Sequence, residues 1–117
     1  LGEAEGRRAA GGWRGDRYRI WEDAQGRFTI VYLVVLETER VAEAVGRSIA
    51  SVVDRRHPSL AGRGVRGPAG NIVVWPDGPR AFLVERRGAE VLLLEGVPDG
   101  TADRLRDRVW RARGANP

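Results

Sequence analysis

The sequence predicts an α+β domain: a two-layer sandwich of about five antiparallel strands with two helices on one face, in the order β-β-α-β-β-β-α. Three observations carry this expectation. Short apolar segments with strand periodicity are separated by turn residues along most of the chain. Two longer segments repeat apolar residues every three or four positions. Most links between the strand segments are too short for crossovers, which makes them hairpins.

The elements follow in order. Residues 1–12 are rich in Gly and Ala and read as a linker or the end of a preceding element, leaving one domain over 13–114. From Asp16, Tyr18, Ile20 and Glu22 alternate with Arg17, Arg19 and Trp21, which is a strand pattern. Asp23-Ala24-Gln25-Gly26 is a turn signal. Residues 27–37 then form a second strand whose centre, FTIVYLVVL, is apolar on both faces and belongs in the middle of a sheet. Thr38 suits a helix N-cap, with Glu39 in the first turn facing the helix dipole. Val41, Val45, Ile49 and Val52 recur at helical spacing, and Glu43 to Arg47 is a favourably oriented i,i+4 pair. The helix fades near 55–57 because Pro58 disfavours helical geometry in the residue before it.

Residues 59–70 carry four Gly and one Pro and are expected to be a loop. Three short strands follow: NIVVW (71–75), ended by Pro76-Asp77-Gly78-Pro79; RAFLVERR (80–87), turning at Gly88; and AEVLLLEG (89–96). Pro98-Asp99-Gly100-Thr101 opens the last helix. Ala102, Leu105, Val109 and Ala112 share one face of it, while Asp107 and Arg111 pair on the other.

Composition narrows the function classes. At 117 residues and 42% hydrophobic content, one domain can bury roughly two-thirds of its unfolded surface without staples. Cysteine is absent, which removes disulfides, thiol catalysis and zinc-thiolate sites. No apolar run reaches the roughly 18 residues of a membrane helix. All 20 basic residues are Arg, against 16 acidic ones, for a net charge of +4. An Arg-only, Ala/Gly/Val-rich chain matches the codon bias of a GC-rich genome, so arginine abundance alone does not signal phosphate recognition. The chain opens on Leu1 rather than Met, and we expect a processed or excised piece of a longer protein.

The Arg14-Gly15-Asp16 tripeptide invites an adhesive reading. Given the abundance of the three residue types it is expected by chance about 0.16 times in such a chain, which is weak specificity. It also runs straight into a strand. The structural reading makes Gly15 the pivot of a turn, Asp16 an acceptor for local N–H groups, and Trp13 a cover for the sheet edge.

With GWRGDRYRIW, a turn, a long apolar strand and an Ala-rich helix on the page, the chain resembles a C-terminal module of bacterial secreted or lipoprotein chains. In many of these the module follows a predicted zinc metallopeptidase unit bearing HExxH. Gly12, Trp13, Gly15, Asp16, Arg17 and Tyr18 match its opening. The Trp-Asp that ends the family's second strand is replaced here by Leu36-Glu37-Thr38, and the helix lacks the usual Phe. The resemblance implies an accessory domain of an exported, extracytoplasmic parent, with no HExxH and no cofactor of its own.

Nothing in the sequence assembles a catalytic site. His57 is the single histidine, and its place at a helix end reads as an interaction with that C-terminus. Ser48 and Ser51 lie on a helix with no nucleophile elbow around them. Glu85, Glu90 and Glu95 read by default as solvated charges at strand ends. The Gly-rich stretch with Arg63 and Arg66 lacks the Lys-Ser/Thr of a phosphate loop. Mixed charges on the last helix argue against a membrane surface. The expectation is therefore a non-catalytic accessory or interaction domain binding a protein partner or the rest of its parent chain. Its candidate surface is Trp13, Arg17, Arg19, Trp21, Arg63 and Arg66. The alternative is a nucleic-acid module stacking bases on an Arg/aromatic sheet face.

Overall fold

The computed structural model describes residues 13–22 and 26–114, and for Trp13, Arg14, Asp16, Trp21, Asp77, Asp99 and Gly114 the backbone alone. The expected linker over 1–12 and residues 23–25 of the first turn lie outside the described residues. The strands are β1 (Trp13–Glu22), β2 (Phe28–Leu36), β3 (Val65–Arg66), β4 (Ile72–Asp77), β5 (Arg80–Arg87) and β6 (Glu90–Pro98); the helices are α1 (Glu39–Arg56) and α2 (Asp99–Gly114). All six strands form one antiparallel sheet in the order β1-β2-β6-β5-β4-β3. The α+β class and the antiparallel sheet are as the sequence predicts.

Three local expectations are revised. The sheet has a sixth strand, β3, inside the stretch expected to be a loop; two residues between glycines are too short for any period to register. β4 runs through Pro76 to Asp77 instead of ending before the proline. β3 pairs only with Val73 and Val74, so beyond them β4 is an edge, where a missing N–H is tolerated. Finally, Arg14-Gly15-Asp16 is not a turn. It lies within β1, at a register irregularity between Trp13 and Gly15.

The larger correction concerns the layers. On β5, Phe82 and Val84 pack with Val45, Ile49 and Val53 of α1, whereas Ala81 and Leu83 pack with Ala102 and Trp110 of α2. Successive strand residues point to opposite faces, so the helices cover opposite faces of the sheet and the architecture has three layers. Connectivity explains this. α1 joins β2, second in the sheet, to β3 at the far edge, and so crosses β6, β5 and β4 on one side. β5 and β6 are buried on both faces, which leaves the second side to be covered by α2.

Local chemistry fixes each helix. Thr38 caps α1, its Oγ1 accepting from the Val41 N–H at 3.1 Å, and His57 ends it with its N–H on the Val53 carbonyl. Trp75 Nε1 donates to Asp54 Oδ1 at 3.0 Å, tying β4 to α1. Each face also holds one buried carboxylate, contrary to the solvated charges expected. Glu95, 5% exposed, sits on the α1 side and meets His57 Nε2 at 2.6 Å and Arg56 at 3.4 Å. Glu85, 2% exposed, sits on the α2 side, where it accepts from Arg106 Nε and Trp110 Nε1 through Oε1 at 2.6 and 2.7 Å, and from Arg106 and Arg87 through Oε2. Arg87 also lies over the Trp110 ring, 4.9 Å from its centroid. Gly96 permits the bulge that carries Val97 to the α2 side. Its φ is +68°, and a Cβ there would meet the Phe28 carbonyl at 2.7 Å.

Burial pushes the Glu85 carboxyl up, but the hydrogen bonds from Arg106 and Trp110, the Arg106 charge and the Arg87 bond outweigh it, so its pKa lies below the ordinary range. The bond to Glu85 correspondingly raises Arg106. A carboxylate with a lowered native pKa stabilises the fold fully above the unfolded value, about 4.3, and loses that contribution as pH falls through the native one. Glu85→Ala strands Arg106 and the Trp110 N–H without an acceptor, and we expect it to lower unfolding free energy at pH 7 by about 3 kcal/mol. Urea titrations of the two proteins should show that difference shrinking below about pH 4, where the wild type loses the same charge.

Candidate functional site

The six residues of the predicted partner surface do not form one surface. Arg17 and Arg19 are exposed on β1, opposite Leu33 and Val31, and so on the α2 side of the sheet. Trp13 and Trp21 contribute backbone to the same strand, and their side chains lie outside the described residues. Arg63 and Arg66 are exposed beside and on β3, the other edge of the sheet. Five strand spacings, about 24 Å at the usual ~4.8 Å, separate β1 from β3. Trp75 and Trp110 are core residues.

The α1 face is where structure and sequence diverge most. A row of paired residues runs straight across all six strands: Tyr18, Tyr32, Leu93, Val84, Val73 and Arg66. α1 lies over the middle of this row and leaves a trough on either side. Towards β1 the uncovered surface is apolar, with Tyr18 64%, Ile20 54% and Phe28 55% exposed. Beside them a groove of about 130 Å³ runs along α1 between Ile30, Tyr32 and Leu93 of the sheet and Ile49 and Val52 of the helix, with Glu95 and Arg56 in its wall. Towards β3 the trough is a cleft of about 300 Å³, into which Arg47, Arg66 and Arg86 are gathered from α1, β3 and β5, over Ala50, Val73 and Val84.

Among the described residues the contact of most chemical interest is an imidazole–carboxylate pair. The His57–Glu95 pair has the distance of an oriented imidazole, and its ring packs on Phe82 with centroids 4.7 Å apart. The imidazole therefore bonds a buried carboxylate instead of the helix end that the sequence suggested. Ser48, Ser51 and Ser59 are exposed, and among the described residues none is hydrogen-bonded to His57. Among the described residues no three acidic or histidine side chains gather in metal-binding fashion. Among the described residues no helix is long and apolar enough to cross a membrane.

Residues 2–106 match the family model described as a domain of unknown function, DUF8575. The chain belongs to that family. No curated protein and no solved structure matches it. The matched residues extend to Arg106, so the DUF8575 segment spans the sheet, α1 and the start of α2 as far as Arg106, one of the two α2 residues that bond Glu85.

Sequence reading missed Arg47 and Arg86 because nothing in their local pattern distinguishes a cleft-facing arginine from a solvated one. Arg47 reads there as the partner of Glu43, yet among the described residues no ion pair joins them; Asp107 and Arg111 do pair, at 2.6 Å. One signal was available, Gly46 in mid-helix. A glycine there costs roughly 1 kcal/mol relative to alanine, and a Cβ on Gly46 would meet nothing within 4 Å. Gly46→Ala is therefore expected to raise stability by about 0.5–1 kcal/mol, read as an upward shift of a few degrees in Tm.

Proposed function

We propose that this DUF8575 domain is a non-catalytic interaction domain that accepts an extended segment of a partner protein along the free edge of β1. One observation carries the reading. β1 is ten residues long, pairs on one side only among the described residues, and displays Tyr18 and Ile20 on one face and Arg17 and Arg19 on the other. Edge strands offer a row of unpaired N–H and C=O groups, which soluble domains usually shorten or cover. The opposite edge, β3, has been cut to two residues; β1 has not.

A strand added to β1 makes its main-chain bonds to that edge and gains specificity from alternate side chains. Its residues beside Tyr18 and Ile20 would be apolar, and those beside Arg17 and Arg19 acidic. The occupant is thus an alternating apolar–acidic strand. Tyr18 and Ile20 lie beside Phe28 and the α1 groove, which lets the partner bury area beyond the strand itself. The resemblance carried by Gly12, Trp13, Gly15, Asp16, Arg17 and Tyr18 supports the wider setting: an accessory domain of an exported bacterial protein, working outside the cytoplasm beside a zinc peptidase unit. The nucleic-acid reading draws on Arg17 and Arg19, but Tyr18 points to the other face of β1.

A ten-residue peptide alternating Val and Glu, titrated into the 117-residue chain, should shift the backbone amide signals of β1 with a Kd of about 10–100 μM. Tyr18→Arg with Ile20→Arg should weaken it at least about tenfold while leaving the urea midpoint nearly unchanged, because both side chains are exposed. Signal changes confined to other strands would overturn the proposal, as would a concentration-dependent dimer that occupies β1 with a second copy. Binding of a single-stranded oligonucleotide that falls steeply with salt would replace it with the nucleic-acid reading.

A further inference from the structure

We propose that the cleft between α1 and the β3–β4 edge binds a small phosphate monoester with a hydroxylated body. Four arginines elsewhere converge on buried or half-buried carboxylates: Arg106 and Arg87 on Glu85, Arg56 on Glu95, Arg113 on Glu90. In the cleft Arg47, Arg66 and Arg86 share the lining with one carboxylate, Glu43, and among the described residues none of them is paired with it. Arg86 Nη1 is held by Glu39 Oε1 at 3.1 Å and the Gly88 carbonyl at 3.0 Å, which fixes the plane of its fork. Arg66 Nη1 donates to the Gly70 carbonyl at 3.2 Å and among the described residues reaches no carboxylate. Arg47 has no polar partner among the described residues. Two of the three are thus positioned by neutral or peripheral acceptors, and most of their donors are left for an oxyanion that the protein itself does not supply. Planar forks of this kind match the oxygens of phosphate in pairs.

The remaining lining sets the rest of the ligand. About 300 Å³ is at the small end of ligand pockets, room for a phosphate and a body of a few heavy atoms. Ala50, Val73 and Val84 present an apolar wall. Glu43 lines the same cleft and among the described residues makes no ion pair to Arg47. A carboxylate accepts only, so it repels a second anionic group and accepts from a ligand hydroxyl. That combination fits a phosphate ester of a small polyol better than a dicarboxylate or a bare inorganic anion.

Gly46 is the independent observation. It lines the cleft in the interior of α1, where glycine is costly, and no protein atom lies where its side chain would be. Packing offers no reason for it; keeping the cleft open does.

Glycerol 3-phosphate, inorganic phosphate and glycerol are titrated calorimetrically into the 117-residue chain at low salt. We expect glycerol 3-phosphate to bind more tightly than phosphate, and glycerol not at all. Arg47→Gln and Arg66→Gln should each weaken binding about tenfold or more, the scale of one charge-assisted contact. Gly46→Leu should abolish it; because that change favours the helix and meets no protein atom at its Cβ, its urea midpoint should not fall, which separates blockage from unfolding. No heat at millimolar glycerol 3-phosphate, or an affinity untouched by Arg47→Gln and Gly46→Leu, would overturn the site. Binding to vesicles containing phosphatidic acid without binding to the soluble ester would overturn the ligand class, since the phosphate would then belong to a lipid.

Discussion

A sheet whose central strands are apolar on both sides has to be covered twice, and the rest of this fold follows from that constraint. β5 and β6 bury side chains on both of their faces. A chain that placed both helices on one face would leave Leu83, Leu92 and Leu94 in water. The crossing from β2 to β3 supplies one cover, and the chain that leaves β6 in mid-sheet supplies the other. One helix per face is narrower than six strands. What each helix leaves bare is therefore as much a product of the topology as what it hides, and both troughs beside α1 arise in this way.

The buried carboxylates make the two covers specific. Apolar packing alone holds a helix against a sheet but tolerates sliding, because hydrophobic contact has no direction. Glu85 can be satisfied only if Arg106 and Trp110 arrive together one turn apart, which sets the position of α2 along its own axis. Glu95 does the same for the end of α1 through Arg56 and His57. Buried pairs of this kind contribute little net stability relative to apolar residues of the same shape, yet they penalise any arrangement that separates them. Placing α1 is also what places Gly46 and Arg47 over β4 and β5.

Much of the fold was legible in the sequence. Thr38 and Pro58 bracket α1 to within a residue or two, and the Gly-containing turns separate the meander strands. The three-layer arrangement was not read from the sequence, which suggested both helices on one face, although the two-sided apolarity of FTIVYLVVL already asks for two covers. Local pattern could not reveal which charges would be buried. Glu85 lies in RAFLVERR beside two arginines and looks solvated there. Its burial is decided by α2, which contributes its partners from about twenty residues later. The same holds for the Arg47–Arg66–Arg86 cleft, whose members come from three elements.

The pairing of β2 with β6 has a kinetic consequence. Ile30 lies opposite Glu95 and Val35 opposite Glu90, so this seam closes a long loop containing α1 and most of the meander. β4, β5 and β6 meet their neighbours across two-residue links and can assemble on local contacts alone. Loop closure costs chain entropy before any non-local contact repays it, and topologies rich in such contacts fold slowly. The meander and the β1–β2 hairpin can each assemble on local contacts, and the β2–β6 seam that joins them carries the loop-closure cost. During synthesis from the N-terminus that hairpin emerges early and waits, its apolar residues unaccompanied, for a strand translated some sixty positions later.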